Sequence, residues 1–251
     1  MVVYTCSHNL EAMLTCIYVA WASKKGHQNI RLEIEPVEQY SLFDEYHHVD
    51  PDFDKANSVM TAVQTKISPY VYTEIAYCSM AYEKDVLDTI YHILLLGFSL
   101  GCHVLEMVHY RDVMRYKEIR TRLGKETCRF QEIVRFNEIR KDFYVAHIEP
   151  KSRLLVTLGP VFMDRMPSEH WMIVDDVHKE AVIHPKDEDF YMKQLTEEEL
   201  FRLAETEKET DTFTDLWKVF FDSIAIEERK NTRCQRNLFP IWARKHAVEF
   251  Q

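Results

Sequence analysis

Histidine and carboxylate side chains occur together at two places in this sequence, and both places have the residue types of a metal or hydrolytic site. The first place has His47, His48, Asp44, Glu45 and Asp50, and the second has Asp175, Asp176, His178 and His184. Adjacent side chains in a loop rarely converge on one ion, and aspartates at a hairpin turn usually accept hydrogen bonds from nearby backbone amides. We therefore expect a solvated loop and a turn, with a metal or hydrolytic site as the alternative.

Arg135 and Glu138 are the next candidates, because they bracket Phe136 in a segment that is predicted to be a strand. Strand alternation directs one of the two charges inward, where an unpaired charge is costly. A structural ion pair is the simpler interpretation, and a charge that faces a ligand is the alternative. Glu138 and Asp175 are the two carboxylates that we consider for a catalytic general acid or base.

Charge is distributed unevenly along the chain. The 31 Lys and Arg residues against 41 Asp and Glu residues give a formal net charge of -10, which argues against a protein that coats nucleic acid through its total charge. Residues 185–228 contain 5 basic and 14 acidic residues, whereas residues 229–251 contain 6 basic residues and 1 acidic residue. Residues 102–141 are also basic, with 10 basic against 6 acidic residues. Two basic segments therefore remain available for local contacts with phosphate.

These basic segments supply the candidate nucleic-acid-binding residues. Arg111, Arg115 and Arg122 fall close to one stripe of a predicted helix, which Glu118 interrupts. The C-terminal segment combines arginines with amides that can bond phosphates and base edges. The candidates are Arg111, Arg115, Arg135, Arg229, Asn231, Arg233, Gln235 and Arg236. Each arginine can neutralise one phosphate. The alternative is a solvated acidic helix followed by a basic tail with no ligand.

Glycine and cysteine usage excludes several cofactor classes. The 5 glycines form neither of the phosphate-binding glycine motifs, and the 6 cysteines include no C-x-x-C pair. We therefore expect no metal site and no cofactor of the chain's own. Cys128 and His147 could face each other across a hairpin as nucleophile and base, but a cysteine is more often a small buried apolar residue. Reduced thiols and the lack of a secretory or membrane-spanning segment predict a cytoplasmic protein.

The periodicity of apolar residues predicts an α+β fold. The first half, 1–125, is expected to be mainly helical, with well-marked helix starts at Asp50-Pro51 and Ser68-Pro69. In 126–251 the pattern predicts a hairpin, a helix over about 152–166 and a second hairpin. We expect these hairpins to form one antiparallel sheet covered by helices. C-terminal helices follow, of which the run from Thr212 to Ile224 is the most amphipathic, and the whole chain, 1–251, is expected to be one compact unit.

Several segments resemble an uncharacterised prokaryotic family associated with DNA metabolism. The most specific is 129–138 (RFQEIVRFNE), and the resemblance keeps its order over essentially the whole chain. The other matching parts are Tyr4 with 14–18, 171–175, 216–221, 229–231, Gln235, Pro240 and 249–250. The chain departs from the family pattern at Cys128 and Glu132, where members often have His and Gly. Lys179 replaces an arginine of the family, which keeps a phosphate-binding role open for that position.

The resemblance implies a context more than a mechanism. Members typically accompany a radical SAM protein thought to act in DNA modification or repair, and some are fused to a uracil-DNA-glycosylase-like domain. The resemblance and the two basic segments together lead us to expect a DNA-repair component that binds DNA and a radical SAM partner. The lack of a membrane-spanning segment leads us to expect no membrane partner. Two alternatives stay open: an enzyme for base excision or hydrolysis that uses Glu138 or Asp175, and a protein-interaction module. Whether the chain is itself an enzyme is not fixed by the sequence.

Overall fold

The structure is a computed structural model that describes residues 1–206, 219–220, 223 and 231–247. The chain divides into two compact units, Met1–Gly124 and Lys125–Gln251. The predicted amphipathic run from Thr212 to Ile224 lies almost entirely outside the described residues. Each unit has its own sheet, and the two sheets are described separately below.

The first unit contains a three-stranded parallel sheet and a helical layer. The strands are β1 (Val2–Cys6), β2 (Ile30–Ile34) and β3 (Glu45–His48), in the order β2-β1-β3. The helices that lie wholly in this unit are α1 (Leu10–Ala22), α2 (Phe53–Lys66), α3 (Pro69–Cys78) and α4 (Val86–Leu100). A helical crossover through α1 joins β1 to β2, which is why these two strands run parallel. The expected helix-rich first half is thus confirmed.

Capping side chains define the helix starts in this unit. Ser68 accepts a hydrogen bond from the backbone N–H of Tyr70, and Pro69 occupies the first turn, as the sequence predicts. The helix predicted to start at Asp50-Pro51 begins slightly later, because Asp52 is the residue whose side chain accepts from the N–H of Lys55. These caps satisfy amides that have no partner within the helix.

Helix α4 lies in the core of the first unit. Within the described residues, one helical stretch, Val86–Glu106, is long and apolar enough to cross a membrane by length and composition. Leu87, Ile90, Ile93 and Leu94 on α4 are at most 1% exposed. A buried core helix has this composition too, so the stretch gives no argument for membrane insertion.

The second unit contains a five-stranded mixed sheet. Helix α5 (Arg111–Ile133), which contains the boundary between the two units in the sequence, leads into β4 (Asn137–Arg140) and β5 (Phe143–Ile148). After α6 (Leu155–Arg165) the remaining strands are β6 (His170–Asp175), β7 (Glu180–His184) and β8 (Tyr191–Gln194). The strand order is β4-β5-β6-β7-β8, and α7 (Glu197–Thr206) and α8 (Thr232–Leu238) follow.

The α+β class is confirmed, but the predicted antiparallel sheet of two hairpins is wrong. The two hairpins, β4–β5 and β6–β7, are antiparallel within themselves, whereas β5 and β6 pair in parallel. The reason is the connection: β5, α6 and β6 form a strand–helix–strand crossover, and such a crossover returns the chain in the same direction. The apolar pattern from residue 126 predicts a strand that includes Phe130 and Ile133, but both residues lie on α5.

Both faces of the mixed sheet are packed. On one face Val145, Met172, Val174 and Ala181 form a cluster with Leu195, against which side chains of α7 lie. On the other face Phe162 of α6 meets the fully buried Trp171, with ring centroids 6.3 Å apart. Packing on both faces holds the ends of β5 and β6 in fixed positions. The candidate site lies at these two strand ends.

Candidate functional site

The parallel pair β5 and β6 places two carboxylates at one edge of the sheet. Ile148 and Asp175 are opposite each other in the register, so Glu149 and Asp176 are the first residues beyond the two strands. The backbone N–H of Asp176 donates to the carbonyl oxygen of Ile148 at 3.1 Å and ties the strand ends together. In open α/β sheets, ligands usually bind beyond the carboxyl ends of parallel strands.

Two histidines complete a cluster with these carboxylates. His147, the penultimate residue of β5, has its Nδ1 atom 2.9 Å and 3.0 Å from the two carboxylate oxygens of Asp176. His246 comes from the C-terminal segment, and its Nε2 atom is 3.6 Å from both Asp176 Oδ2 and Glu149 Oε1. The two imidazole rings stack with centroids 5.9 Å apart. We call His147, Glu149, Asp176 and His246 the His/carboxylate cluster.

Burial sets the electrostatics of His246. Its Nε2 atom is shielded from solvent and has no hydrogen-bond partner among the described residues, because 3.6 Å is too long for a direct hydrogen bond. Burial lowers the pKa of His246, and the nearby Asp176 carboxylate opposes that shift only in part. The lowered pKa favours the neutral imidazole, whose Nε2 atom lies 3.6 Å from an oxygen of each carboxylate.

Lys245 adds a cation at the rim of the cluster. Its ammonium group pairs with Glu149 Oε1, and this hydrogen bond raises the pKa of Lys245. The side chain of Lys245 is 64% exposed, so its ammonium group lies at the protein surface. A short 3-10 turn, Ile241–Ala243, followed by the buried Ala247, anchors the segment that carries both Lys245 and His246.

An aromatic residue surrounded by cations adjoins the cluster. Trp242 is 37% exposed and packs against Phe130, with ring centroids 6.2 Å apart. The ammonium group of Lys151 lies 5.1 Å from the Trp242 ring, and the guanidinium group of Arg129 lies 5.7 Å from it. Trp242, Lys245 and His246 line the same shallow pocket. We call Arg129, Lys151, Trp242 and Lys245 the Trp242 surface.

The two predicted catalytic carboxylates, Asp175 and Glu138, both accept hydrogen bonds from backbone amides of turns. Asp175 is fully buried, and its oxygens accept from the N–H groups of Val177 and His178 at 3.0 Å each and from the His178 ring at 2.6 Å. Glu138 accepts from the backbone N–H of Asp142 at 2.9 Å, across the β4–β5 turn. The turn chemistry expected of Asp175 is thus what its hydrogen bonds show.

Of the predicted phosphate-binding residues outside the C-terminal segment, most have contacts within the protein. Arg115 forms a two-nitrogen pair with Asp85, at 2.6 Å and 2.8 Å, and a further bond to Glu118. Arg135 donates to the carbonyl oxygens of Glu132 and Val134 at the end of α5. Lys179, at a left-handed turn position with φ 56°, pairs with Glu197. Arg111 is exposed at the start of α5.

In the C-terminal segment the predicted binding residues lie on a short exposed helix. Asn231 caps α8, since its side chain accepts from the N–H of Cys234 at 2.9 Å. Arg233, Gln235 and Arg236 follow on the same helix and are exposed. Arg229 lies outside the described residues.

The other candidate groups are accounted for by local contacts. His48 bonds Glu35 at 2.7 Å, and the neighbouring His47 lies 2.9 Å from Glu45, so the two histidines have different partners. His184 bonds the carbonyl oxygen of Glu169. Cys128 is exposed on α5 and is not on a strand facing His147.

Sequence reasoning missed the His/carboxylate cluster because its members are far apart in the chain. Asp176 and His147 were each considered, but with other partners, and Glu149 and His246 were not considered at all. The available signal was the strand–helix–strand order, since recognising β5 and β6 as parallel would have placed Glu149 beside Asp176. The contribution of His246 has no local signal in the sequence.

The fold and site together define an α+β protein with a mixed sheet and a histidine-carboxylate cluster at the ends of its central parallel strands. Residues 84–249 match the family DUF4130, a domain of unknown function, and the chain belongs to this family. The match includes every residue of the cluster and of the Trp242 surface. No curated protein matches the chain.

Proposed function

We propose that this protein is a component of DNA modification or repair that binds nucleic acid and works with a radical SAM partner. The resemblance of the chain to a family associated with DNA metabolism supplies this setting. The observation that supports contact with nucleic acid is the Trp242 surface, in which the guanidinium group of Arg129 and the ammonium group of Lys151 lie close to a partly exposed indole.

The chemistry of the Trp242 surface suits a single strand. A base can stack on an exposed indole whatever its identity, and Lys or Arg groups close to the ring can neutralise the adjoining phosphates. Lys151 is exposed and the side chain of Lys245 is 64% exposed, so both ammonium groups lie at the protein surface, where a nucleic-acid backbone can approach. Arg233 and Arg236 on the exposed α8 add positive charge in the same unit.

A salt series tests nucleic-acid binding. Fluorescence anisotropy of labelled single-stranded and duplex DNA is measured against protein at several salt concentrations. We expect affinity that falls as salt rises and tighter binding of the single strand than of the duplex. Absence of binding at low salt, or binding that is insensitive to salt, would overturn the proposal.

Matched variants localise the contact. Trp242→Ala should weaken single-strand binding by about 5- to 150-fold, since stacking contributes roughly 1–3 kcal/mol per base. Lys151→Ala should reduce the slope of log affinity against log salt by about 0.7, the value for one phosphate contact on a single strand. Lys186→Ala, at an exposed lysine in the acidic segment, removes the same charge and should leave the slope unchanged.

The partner is tested by co-purification. The protein is co-expressed with the radical SAM protein encoded nearest to it, with an affinity tag on one of the two. We expect a complex that persists on size-exclusion chromatography in the absence of DNA. Separate elution at low and at high salt would contradict this part of the proposal and leave nucleic-acid binding to be judged on its own test.

A further inference from the structure

We infer that the His/carboxylate cluster binds one divalent transition-metal ion through His246, Glu149 and Asp176. The inference goes beyond nucleic-acid binding and does not depend on it. The donor atoms come from one imidazole and two carboxylates, which are ligand types that zinc and manganese share.

The distances between the donor atoms are close to those of a metal site. His246 Nε2 is 3.6 Å from an oxygen of each carboxylate, and all three donor atoms lie within 4.8 Å of one another. Metal–ligand bonds of about 2.0–2.2 Å bring ligand atoms to roughly 3.0–3.5 Å from one another. Shifts of the donor atoms on the order of 1 Å, which side-chain rotation can supply, therefore bring all three atoms to the distances of ligands around one ion.

The buried Nε2 atom of His246 points to the same ligand. It is shielded from solvent and has no hydrogen-bond partner among the described residues, yet it faces two carboxylates. Buried polar atoms of native proteins are nearly always satisfied. A cation between the imidazole and the carboxylates satisfies the nitrogen and neutralises both negative charges.

His147 provides the supporting contact that such sites usually have. Its Nδ1 atom lies within hydrogen-bond distance of both oxygens of Asp176 and can hold that carboxylate in place. Ligating carboxylates are commonly held by a hydrogen bond of this kind. We therefore assign His147 a positioning role and leave the first coordination shell to the other three residues.

Lys245 is the internal competitor of the ion. Its ammonium group occupies Glu149 Oε1, the oxygen nearest His246, and must move away before a metal ion binds there. Its high exposure makes this exchange possible. The cluster therefore has two alternative cations, a tethered ammonium group and a free metal ion, and removing the first should favour the second.

Isothermal titration of the full chain, first stripped with a chelator, tests the inference with ZnCl₂ and MnCl₂ as the only ligands. The wild type should bind one ion, and His246→Ala and Asp176→Asn should each lower the affinity for it by more than about 100-fold. Loss of a residue that only supports a ligand, such as His147, typically lowers metal affinity by about 10- to 100-fold. Lys245→Met should tighten binding by about 2- to 5-fold, the value of one exposed ion pair. His103→Ala, at an exposed histidine elsewhere, is the matched control and should bind as the wild type does.

Several results would overturn the inference. These are no ion bound by the wild type, equal binding by the wild type and Asp176→Asn, or weaker binding by Lys245→Met. Asp176→Asn keeps the size of the side chain and an acceptor for His147, so it remains informative if His246→Ala does not fold. Binding is measured without DNA, so failure here is distinct from failure of nucleic-acid binding.

Discussion

Replacing Asp175 should destabilise the protein strongly, because this residue holds the β6–β7 turn. It is fully buried and accepts three hydrogen bonds, from the backbone N–H groups of Val177 and His178 and from the His178 ring. In Asp175→Ala all three donors lose their acceptor. A hydrogen bond to a charged group contributes about 1.5–3 kcal/mol, and each neutral donor left without a partner adds roughly 1 kcal/mol where water can reach it.

The expected loss for Asp175→Ala is therefore about 3–5 kcal/mol of the free energy of unfolding. Asp175→Asn keeps one carbonyl oxygen for the two backbone amides and loses only the charged contact with His178, so it should cost about 1–2 kcal/mol. Equilibrium urea denaturation followed by far-UV circular dichroism measures both. Asp189→Ala, at an exposed aspartate of the next loop, is the control and should change stability by less than about 0.5 kcal/mol.

The ranking of the variants decides whether the reasoning is right. If Asp175→Ala is as stable as the control, or if the asparagine variant is no better than the alanine variant, the turn does not depend on these hydrogen bonds. In that case Asp175 becomes available again as a candidate for acid–base chemistry. A large loss of stability would instead mean that any loss of activity in an Asp175 variant reflects unfolding and not a missing catalytic group.

Two further predictions concern the first unit. Arg115→Ala should cost about 0.5–1 kcal/mol, since the pair with Asp85 is partly exposed and screened. The hydrogen bonds from Arg115 lower the pKa of Asp85, so this contribution is present above about pH 4 and is lost as the pH falls through the lowered pKa. The free energies of unfolding of the wild type and the variant, measured over an acid pH series, should therefore converge in this range. A difference that stays constant down to the lowest pH would contradict the prediction. Ser68→Ala should cost about 1 kcal/mol through loss of the α3 cap and Ser68→Asn much less, measured by thermal denaturation; equal losses would show that the cap does not act through its side-chain acceptor.

Local sequence patterns predict the helices and strands more reliably than they predict the arrangement of these elements. The α3 cap at Ser68-Pro69 and the helix α6 were predicted from patterns within a few residues, and both are confirmed. The direction of β6 relative to β5 depends instead on how the crossover through α6 packs. No short-range pattern records that packing, which is why the antiparallel sheet was the wrong expectation.

The candidate site also has a part that local sequence patterns predict and a part that they do not. The hydrogen-bonding role of Asp175 follows from its place in a turn and could be predicted. The cluster of His147, Glu149, Asp176 and His246 joins two strand ends to a segment 70 residues further on, so it exists only after the sheet has formed. The expectation of no metal site depends on cysteine spacing, which reports only on metal sites built from cysteines. It carries no information about a site built from imidazole and carboxylate groups.

Site-resolved photo-crosslinking tests the proposal of nucleic-acid binding most directly. Single-stranded DNA that carries iodouracil, which couples to aromatic side chains under irradiation, is crosslinked to the full chain and the modified peptide is identified by mass spectrometry. We expect the crosslink on Trp242, with loss of the adduct in Trp242→Ala and when salt is raised. Crosslinks confined to other parts of the chain, or an adduct that persists unchanged in Trp242→Ala, would contradict the assignment of this surface.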